Sequence, residues 1–217
     1  MKNNKILKVN EIFKSIQGES TQCGLPCIFI RLTYCNLRCT YCDTEYAFHE
    51  GNDMTIKDIL NHIKPMKIKL VEITGGEPML QENVISLMNE LLKNDYDVLL
   101  ETSGAISLKD VPQKVKKIVD FKCPSSLMSD KNLWTIVNEL NSKDEIKFVI
   151  GDFNDYEWTK SKINKYNLDK KWTVLLSPVF GKITLEEIAN WILEDNLKVR
   201  LQLQMHKYIW DPEKRAV

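Results

Sequence analysis

Lys69-Leu70-Val71-Glu72-Ile73-Thr74-Gly75-Gly76-Glu77-Pro78 is a short β-branched run that ends on two glycines and a proline. That pattern predicts a strand over 69–74 and a loop after it. Val84, Leu87, Met88, Leu91 and Leu92 then recur at helical spacing, and a second strand run covers 97–102. Strand, helix, strand is the unit that builds a parallel sheet. Working outward, further strand runs lie at 27–33, 117–121, 145–150, 173–176 and 198–202. A helical stripe holds Ile56, Ile59, Leu60 and Ile63, and Thr184 with Glu187 forms a capping box before Ile188, Trp191 and Ile192. The Lys/Asp-rich stretch 152–171 reads as a surface insertion. The expectation is an α/β fold in one domain over 1–217. Its mostly parallel sheet is curled by right-handed crossovers into an open, partial barrel, with chemistry at the C-terminal strand ends.

Composition narrows the function classes. Thirty Lys plus Arg against thirty Asp plus Glu leave no net charge, so no global field favours nucleic acid or an anionic membrane. Apolar stretches such as Cys27 to Ile30 fall far short of the roughly 18 residues that a membrane helix needs. At the N-terminus Ile6-Leu7 is interrupted by Lys8, Asn10 and Glu11, which leaves no room for a signal core and points to the cytoplasm. In a reducing compartment the six cysteines are expected as ligands or core residues rather than as disulfides.

Cys35, Cys39 and Cys42 stand as C-x3-C-x2-C in CNLRCTYC. Three thiolates on one loop bind a cubane iron-sulfur cluster and leave its fourth iron open to an exogenous ligand. The alternatives are a zinc loop or three buried thiols, although zinc favours a second CxxC pair that this chain lacks. Cys23 and Cys27 form another C-x3-C stiffened by Pro26, and Cys123 stands alone. They are either small buried thiols or ligands of an auxiliary cluster.

CNLRCTYC resembles the cluster motif of the radical S-adenosylmethionine superfamily, and TGGEP resembles its GGE motif. The resemblance implies a [4Fe-4S] cluster that chelates S-adenosylmethionine and, once reduced, splits its carbon-sulfur bond to yield a hydrogen-abstracting radical. It implies cofactor contacts from Tyr41, Gly75, Gly76 and Glu77, and from the matching stretches at Ser103, Asp120-Phe121-Lys122 and Ser177-Pro178-Val179. Tyr41 as a core aromatic is the bland alternative.

Within the superfamily the chain resembles the 7-carboxy-7-deazaguanine synthases through QGES, CNLRCTYCDT, TGGEP, ETSG, KCPSS, LSP and a closing Gln204-x-His206-x-x-x-Trp210, in that order. Those enzymes contract 6-carboxy-5,6,7,8-tetrahydropterin with loss of ammonia on the route to deazapurines. The resemblance assigns the substrate to Ile16, Gln17, Gly18, Glu19, Arg31, Thr74 and His206, and Mg²⁺ to Thr44. It also implies a homodimer fed by a flavodoxin- or ferredoxin-like reductant. The residue types suit that substrate: Gln17 and Glu19 can read a pyrimidine edge, and Arg31 can pair with a carboxylate. Alternatives remain for each, namely a structural ion pair for Arg31, a helix N-cap for Thr44 and a core or surface role for His206. The ending Asp211 to Val217 departs from the family's pattern. A glycyl-radical activating enzyme shares the cysteine loop, while an electron carrier or zinc module would leave TGGEP unexplained.

Overall fold

Nine strands form one open sheet in a computed structural model that describes residues 5–217. They are β1 (Ile6–Ile16), β2 (Pro26–Leu32), β3 (Asn52–Thr55), β4 (Leu70–Gly75), β5 (Asp97–Thr102), β6 (Lys116–Phe121), β7 (Glu145–Ile150), β8 (Thr173–Pro178) and β9 (Arg200–Leu201). Their order across the sheet is β3-β1-β2-β4-β5-β6-β7-β8-β9. From β2 to β9 every neighbour is parallel, whereas β1 runs antiparallel to both β2 and β3. Among the described residues no pairing joins β3 to β9, so the barrel is partial. The helices are α1 (Ile56–Ile63), α2 (Val84–Lys93), α3 (Phe153–Tyr166), α4 (Leu168–Lys171), α5 (Leu185–Glu194) and α6 (His206–Ile209). No helix is long and apolar enough to cross a membrane among the described residues.

The period-two alternation of the strands separates packing from chemistry. Ile28, Ile30, Val71, Ile73, Val98, Leu100, Val119, Phe121, Ile146, Phe148, Val174 and Leu176 turn one way and pack with helical residues such as Ile59, Leu87, Leu91, Ile163 and Ile188. Each buried aliphatic side chain stabilises the fold by roughly 1.5–3 kcal/mol. The residues between them point to the inner face, where Arg31, Glu72, Thr74, Glu101, Asp120, Lys147 and Ser177 stand beside apolar Leu99, Ile118 and Leu175. Both helix-opening Thr-x-x-acid boxes form, at Thr55/Asp58 and at the expected Thr184/Glu187.

One strand was not read from the sequence, and two expectations change. The N-terminal segment is an eleven-residue strand, with Leu7 and Val9 in the core. Its polar residues are those of an antiparallel strand near the sheet edge with one wetted face. Residues 152–171 are no surface insertion: α3 and α4 bury Tyr156, Ile163 and Leu168, and Tyr166 stacks on Trp134 at 4.7 Å. The Lys residues there lie on the wetted face of an amphipathic helix, while Asp155 is buried and accepts from Ser125 N–H and Gly151 N–H at 2.9 and 2.8 Å. The last strand shrinks to two exposed residues, Arg200 and Leu201.

Candidate active site

The cysteine loop follows β2 directly. Cys35, Cys39 and Cys42 are unpaired and half-buried. Leu37 N–H donates to Cys35 Sγ at 3.4 Å, and the Cys42 N–H donates to the Cys39 carbonyl at 3.2 Å. Arg38 ties the loop by donating to the carbonyls of Cys35 and Leu37 at 2.9 and 2.6 Å, with its guanidinium over Phe48. Burial raises all three thiols, Cys39 up to about 11 against the opposing charge of Lys122. Iron must therefore displace their protons as it binds. Among the described residues no three His, Cys, Asp or Glu side chains converge on one metal ion. Three half-buried thiols on one loop are a donor set that suits an iron-sulfur cluster.

The loop after β4 lies against the cysteines because it has no side chains there. A Cβ on Gly76 would fall 2.3 Å from the Tyr34 carbonyl oxygen and 2.7 Å from Cys35 Cβ, and one on Gly75 would fall 2.3 Å from the Leu32 carbonyl oxygen. Gly76 N–H and Glu77 N–H donate to those same carbonyls, Leu32 at 3.2 Å and Tyr34 at 2.8 Å. The fully buried Glu77 carboxylate accepts from Thr102 Oγ1 at 2.9 Å, from Ser103 N–H at 2.8 Å, from Ser103 Oγ at 2.5 Å and from Met79 N–H at 3.0 Å. Glu77 and Ser103 thus brace the two strand-end loops against each other.

The remaining residues expected at the cofactor divide by side-chain direction. Asp120 Oδ1 and Ser177 Oγ are two of four buried side-chain polar atoms without a hydrogen-bond partner among the described residues. Buried polar atoms are rarely left so, and a polar ligand would satisfy both. Lys122 Nζ pairs with Asp120 Oδ2 at 3.0 Å. Phe121 instead stacks on Trp134 at 4.5 Å on the helix side, so its side chain belongs to the core and only its backbone faces the site. Pro178 and Val179 are buried, with Val179 N–H donating to the Ile150 carbonyl at 2.8 Å. Tyr41 is half-buried and donates to the Val149 carbonyl at 3.3 Å.

The segment after Ile16, the last residue of β1, folds over the inner face. Gln17 donates through Nε2 to Glu72 and accepts Glu19 N–H at 3.1 Å, which fixes its carboxamide in one orientation. Glu19 accepts from Lys147 Nζ at 2.7 Å and from Gln204 Nε2 at 3.1 Å. Burial alone would raise Glu19, but Lys147 holds it below the ordinary carboxylate range. Burial, with Glu101 and Glu19 nearby, holds Glu72 well above that range. His206, at the start of α6, sits so close to Gly18 that a Cβ there would fall 2.3 Å from Nδ1. Burial lowers its affinity for a second proton, and Glu19 opposes this only in part.

Arg31 and Thr44 occupy the cluster end. Arg31 Nε donates to Glu11 Oε1 at 2.8 Å, and Tyr46 Oη donates to the same oxygen at 3.1 Å. The structural ion pair is therefore present, yet the two terminal nitrogens of Arg31 make no hydrogen bond among the described residues. Thr74 is its register partner on β4. Thr44 occupies the N-cap position of a 3-10 turn over Glu45–Phe48 but makes no capping bond; its hydroxyl donates to Asp43 Oδ1 at 2.8 Å. Cys27 is buried beside Glu72, and Cys123 contacts Thr159 Oγ1 at 3.4 Å, which makes both core thiols. Cys23 Sγ contacts the Gly18 carbonyl at 3.5 Å, apart from both. Glu72, Glu101 and Lys147 join the site without having been singled out in the sequence. Their signal was a charged residue at an inner-face position of an otherwise apolar strand.

The Radical SAM superfamily model matches residues 29–194. The chain is 44% identical to the 7-carboxy-7-deazaguanine synthase of Koribacter versatilis, over 97% of this chain and 100% of that protein. It is 41% identical to the synthase of the same name from Chlorobaculum tepidum, over 97% of each. Among solved structures, QueE from Escherichia coli superposes with a TM-score of 0.79 at 25% identity, covering 93% of this chain and 95% of that one. Streptococcus suis SuiB bound to S-adenosylmethionine shares the fold at a TM-score of 0.53 and 15% identity, over 79% of this chain and 44% of its own. A cysteine loop braced by TGGEP at the mouth of an open parallel barrel and relatives of one name along the full length agree: the chain belongs to the 7-carboxy-7-deazaguanine synthase family of the radical SAM superfamily.

Proposed function

We propose that the chain converts 6-carboxy-5,6,7,8-tetrahydropterin to 7-carboxy-7-deazaguanine with release of ammonia. The observation that carries this reading is the Gln17 to Glu19 segment, folded over a polar inner face below the cysteine loop and anchored to Glu72 and Lys147. When bound, the cluster on Cys35, Cys39 and Cys42 and its S-adenosylmethionine supply one-electron cleavage and hydrogen-atom abstraction. The chain's own residues bind and orient. One N–H of Gln17 and the carboxylate of Glu19 suit the mixed donor and acceptor edge of a pterin. The terminal nitrogens of Arg31 suit its carboxylate, with His206 as a neutral partner. The unpartnered atoms of Asp120 and Ser177 suit cofactor hydroxyl or amine groups.

Mg²⁺ belongs to this reading. Thr44 supports it, since its hydroxyl caps no helix and lies beside the Asp43 carboxylate. The ion would take its other oxygens from substrate and water. The chain is read as a cytoplasmic homodimer served by a flavodoxin- or ferredoxin-like reductant. The exposed Leu201, Leu203, Tyr208 and Ile209 along the β9 edge favour self-association.

The test is an anaerobic assay of the reconstituted protein with dithionite, S-adenosylmethionine and the carboxypterin. The expected result is a deazapurine chromophore, one ammonia per product and far less than one cofactor consumed per product. Cofactor cleavage without a deazapurine, or consumption of one cofactor per turnover, would overturn it.

A further inference from the structure

Lys147 is a buried ammonium on the inner face of β7, 4% exposed, and it faces acids from two strands and one loop. Its Nζ donates to Glu101 on β5, lies 2.7 Å from Glu19 Oε2 on the segment after β1, and stands 3.4 Å from Asp120 Oδ2 on β6. Glu19 belongs to the substrate half of the site and Asp120 to the cofactor half. Asp120 Oδ1 has no hydrogen-bond partner among the described residues, and Oδ2 is shared with Lys122 at 3.0 Å.

We infer that Lys147 is a positioning residue that ties the substrate half of the site to the cofactor half, so that filling either half strengthens binding in the other. The inference rests on the functional reading above. An ammonium has three donors and here faces three carboxylates, with Asp120 at the longest distance. A ligand that donates hydrogen bonds to Glu19 loosens that carboxylate's hold on Nζ. The ammonium then turns toward Asp120 and fixes it with Oδ1 free for the cofactor. The ordering of Asp120 is completed by whichever ligand arrives first, and the second ligand finds it already done. Such a coupling is reciprocal. Lys122, which holds Asp120 alone, cannot transmit it, because it makes no ion pair with Glu19 or Glu101 among the described residues.

The experiment is anaerobic equilibrium dialysis of labelled S-adenosylmethionine against the oxidised, cluster-loaded protein, with and without the carboxypterin. In the wild type the pterin should tighten cofactor binding by at least about fivefold. In Lys147→Met, and in Lys147→Met with Glu101→Gln to restore charge balance, the ratio should fall to within about twofold, while Lys147→Arg retains it. Glu19→Gln keeps the buried ammonium and does not depend on those variants folding; it should reduce the ratio as well. Equal weakening of cofactor binding with and without pterin, leaving the ratio unchanged, would make Lys147 a structural brace and overturn the inference. So would a wild-type ratio of one. Dialysis of labelled carboxypterin alone separates the failures: binding without coupling removes only this inference, whereas no binding removes the functional reading as well.

Discussion

Gly76→Ala tests the contact on which the cluster loop depends. The added methyl would lie 2.3 Å from the Tyr34 carbonyl oxygen and 2.7 Å from Cys35 Cβ, where ordinary contacts begin near 3.4 Å. Both obstacles belong to the chain leading into the cluster, and neither is the free end of a flexible side chain. The loops must therefore part by about 1 Å, which costs roughly 1–3 kcal/mol as overpacking. That separation carries the Glu77 N–H to Tyr34 hydrogen bond, now 2.8 Å, beyond bonding range, at a further cost of about 0.5–1.5 kcal/mol. Together these come to roughly 1.5–4.5 kcal/mol, or about 3–18 °C of melting temperature for a chain of this size. Because Cys35 moves with the loop, iron retention should fall as well. Gly24→Ala is the comparison: φ there is +92° with nothing within 4 Å, so it should lose only about 1–2 kcal/mol of backbone strain and keep its iron. Thermal melts, with iron and sulfide per chain after anaerobic reconstitution, read both effects. A Gly76→Ala protein that melts and loads iron like the wild type would refute the argument.

Cys35→Ala, Cys39→Ala and Cys42→Ala should each abolish cluster binding, while Cys23→Ala and Cys27→Ala keep about four irons per chain by the same analysis. Glu72→Gln should gain stability relative to the wild type as pH rises. The raised Glu72 favours the fold fully below its unfolded value near 4.5, and that contribution is lost as pH climbs through the higher folded value, whereas Gln does not titrate. Urea titrations at pH 5 and pH 8 check the sign, and a wild-type advantage that grows with pH would contradict it. Thr44→Ala should leave the melting temperature unchanged, since no capping bond is lost, yet raise the Mg²⁺ concentration needed for half-maximal rate. A lowered melt with an unshifted metal curve would remove Thr44 from the site.

Much of the fold was legible because parallel strands buried on both faces read as continuous β-branched runs. Residues 97–102 and 145–150 carry this signal so clearly that β5 and β7 start and stop where the sequence places them. β1 was hidden because an antiparallel strand with one wetted face mixes Lys, Asn and Glu into its apolar positions. Helix α3 was hidden for a related reason. Only Asp155, Tyr156, Thr159 and Ile163 are buried, and one of these four is itself charged, so the apolar stripe is too thin to stand out among the lysines. The last strand was overread, since Lys198 and Gln202 make the right pattern but find no more than two residues of pairing on β8.

In the site the division follows reach along the chain. The three clustered thiols, the glycine loop and the order of the motifs are local, so spacing alone made them candidates: three thiols within eight residues can serve one metal centre wherever that loop is placed. Contacts between residues far apart in sequence could not be read that way. That Glu77 braces Ser103 rather than standing free, that Phe121 turns into the core beside Asp120, that Arg31 already shares Glu11 with Tyr46, and that Lys147 gathers Glu19, Glu101 and Asp120 are all consequences of strand register and twist. A one-residue shift in any strand would send the charged member of each pair to the helix side, and only the packed sheet sets that register.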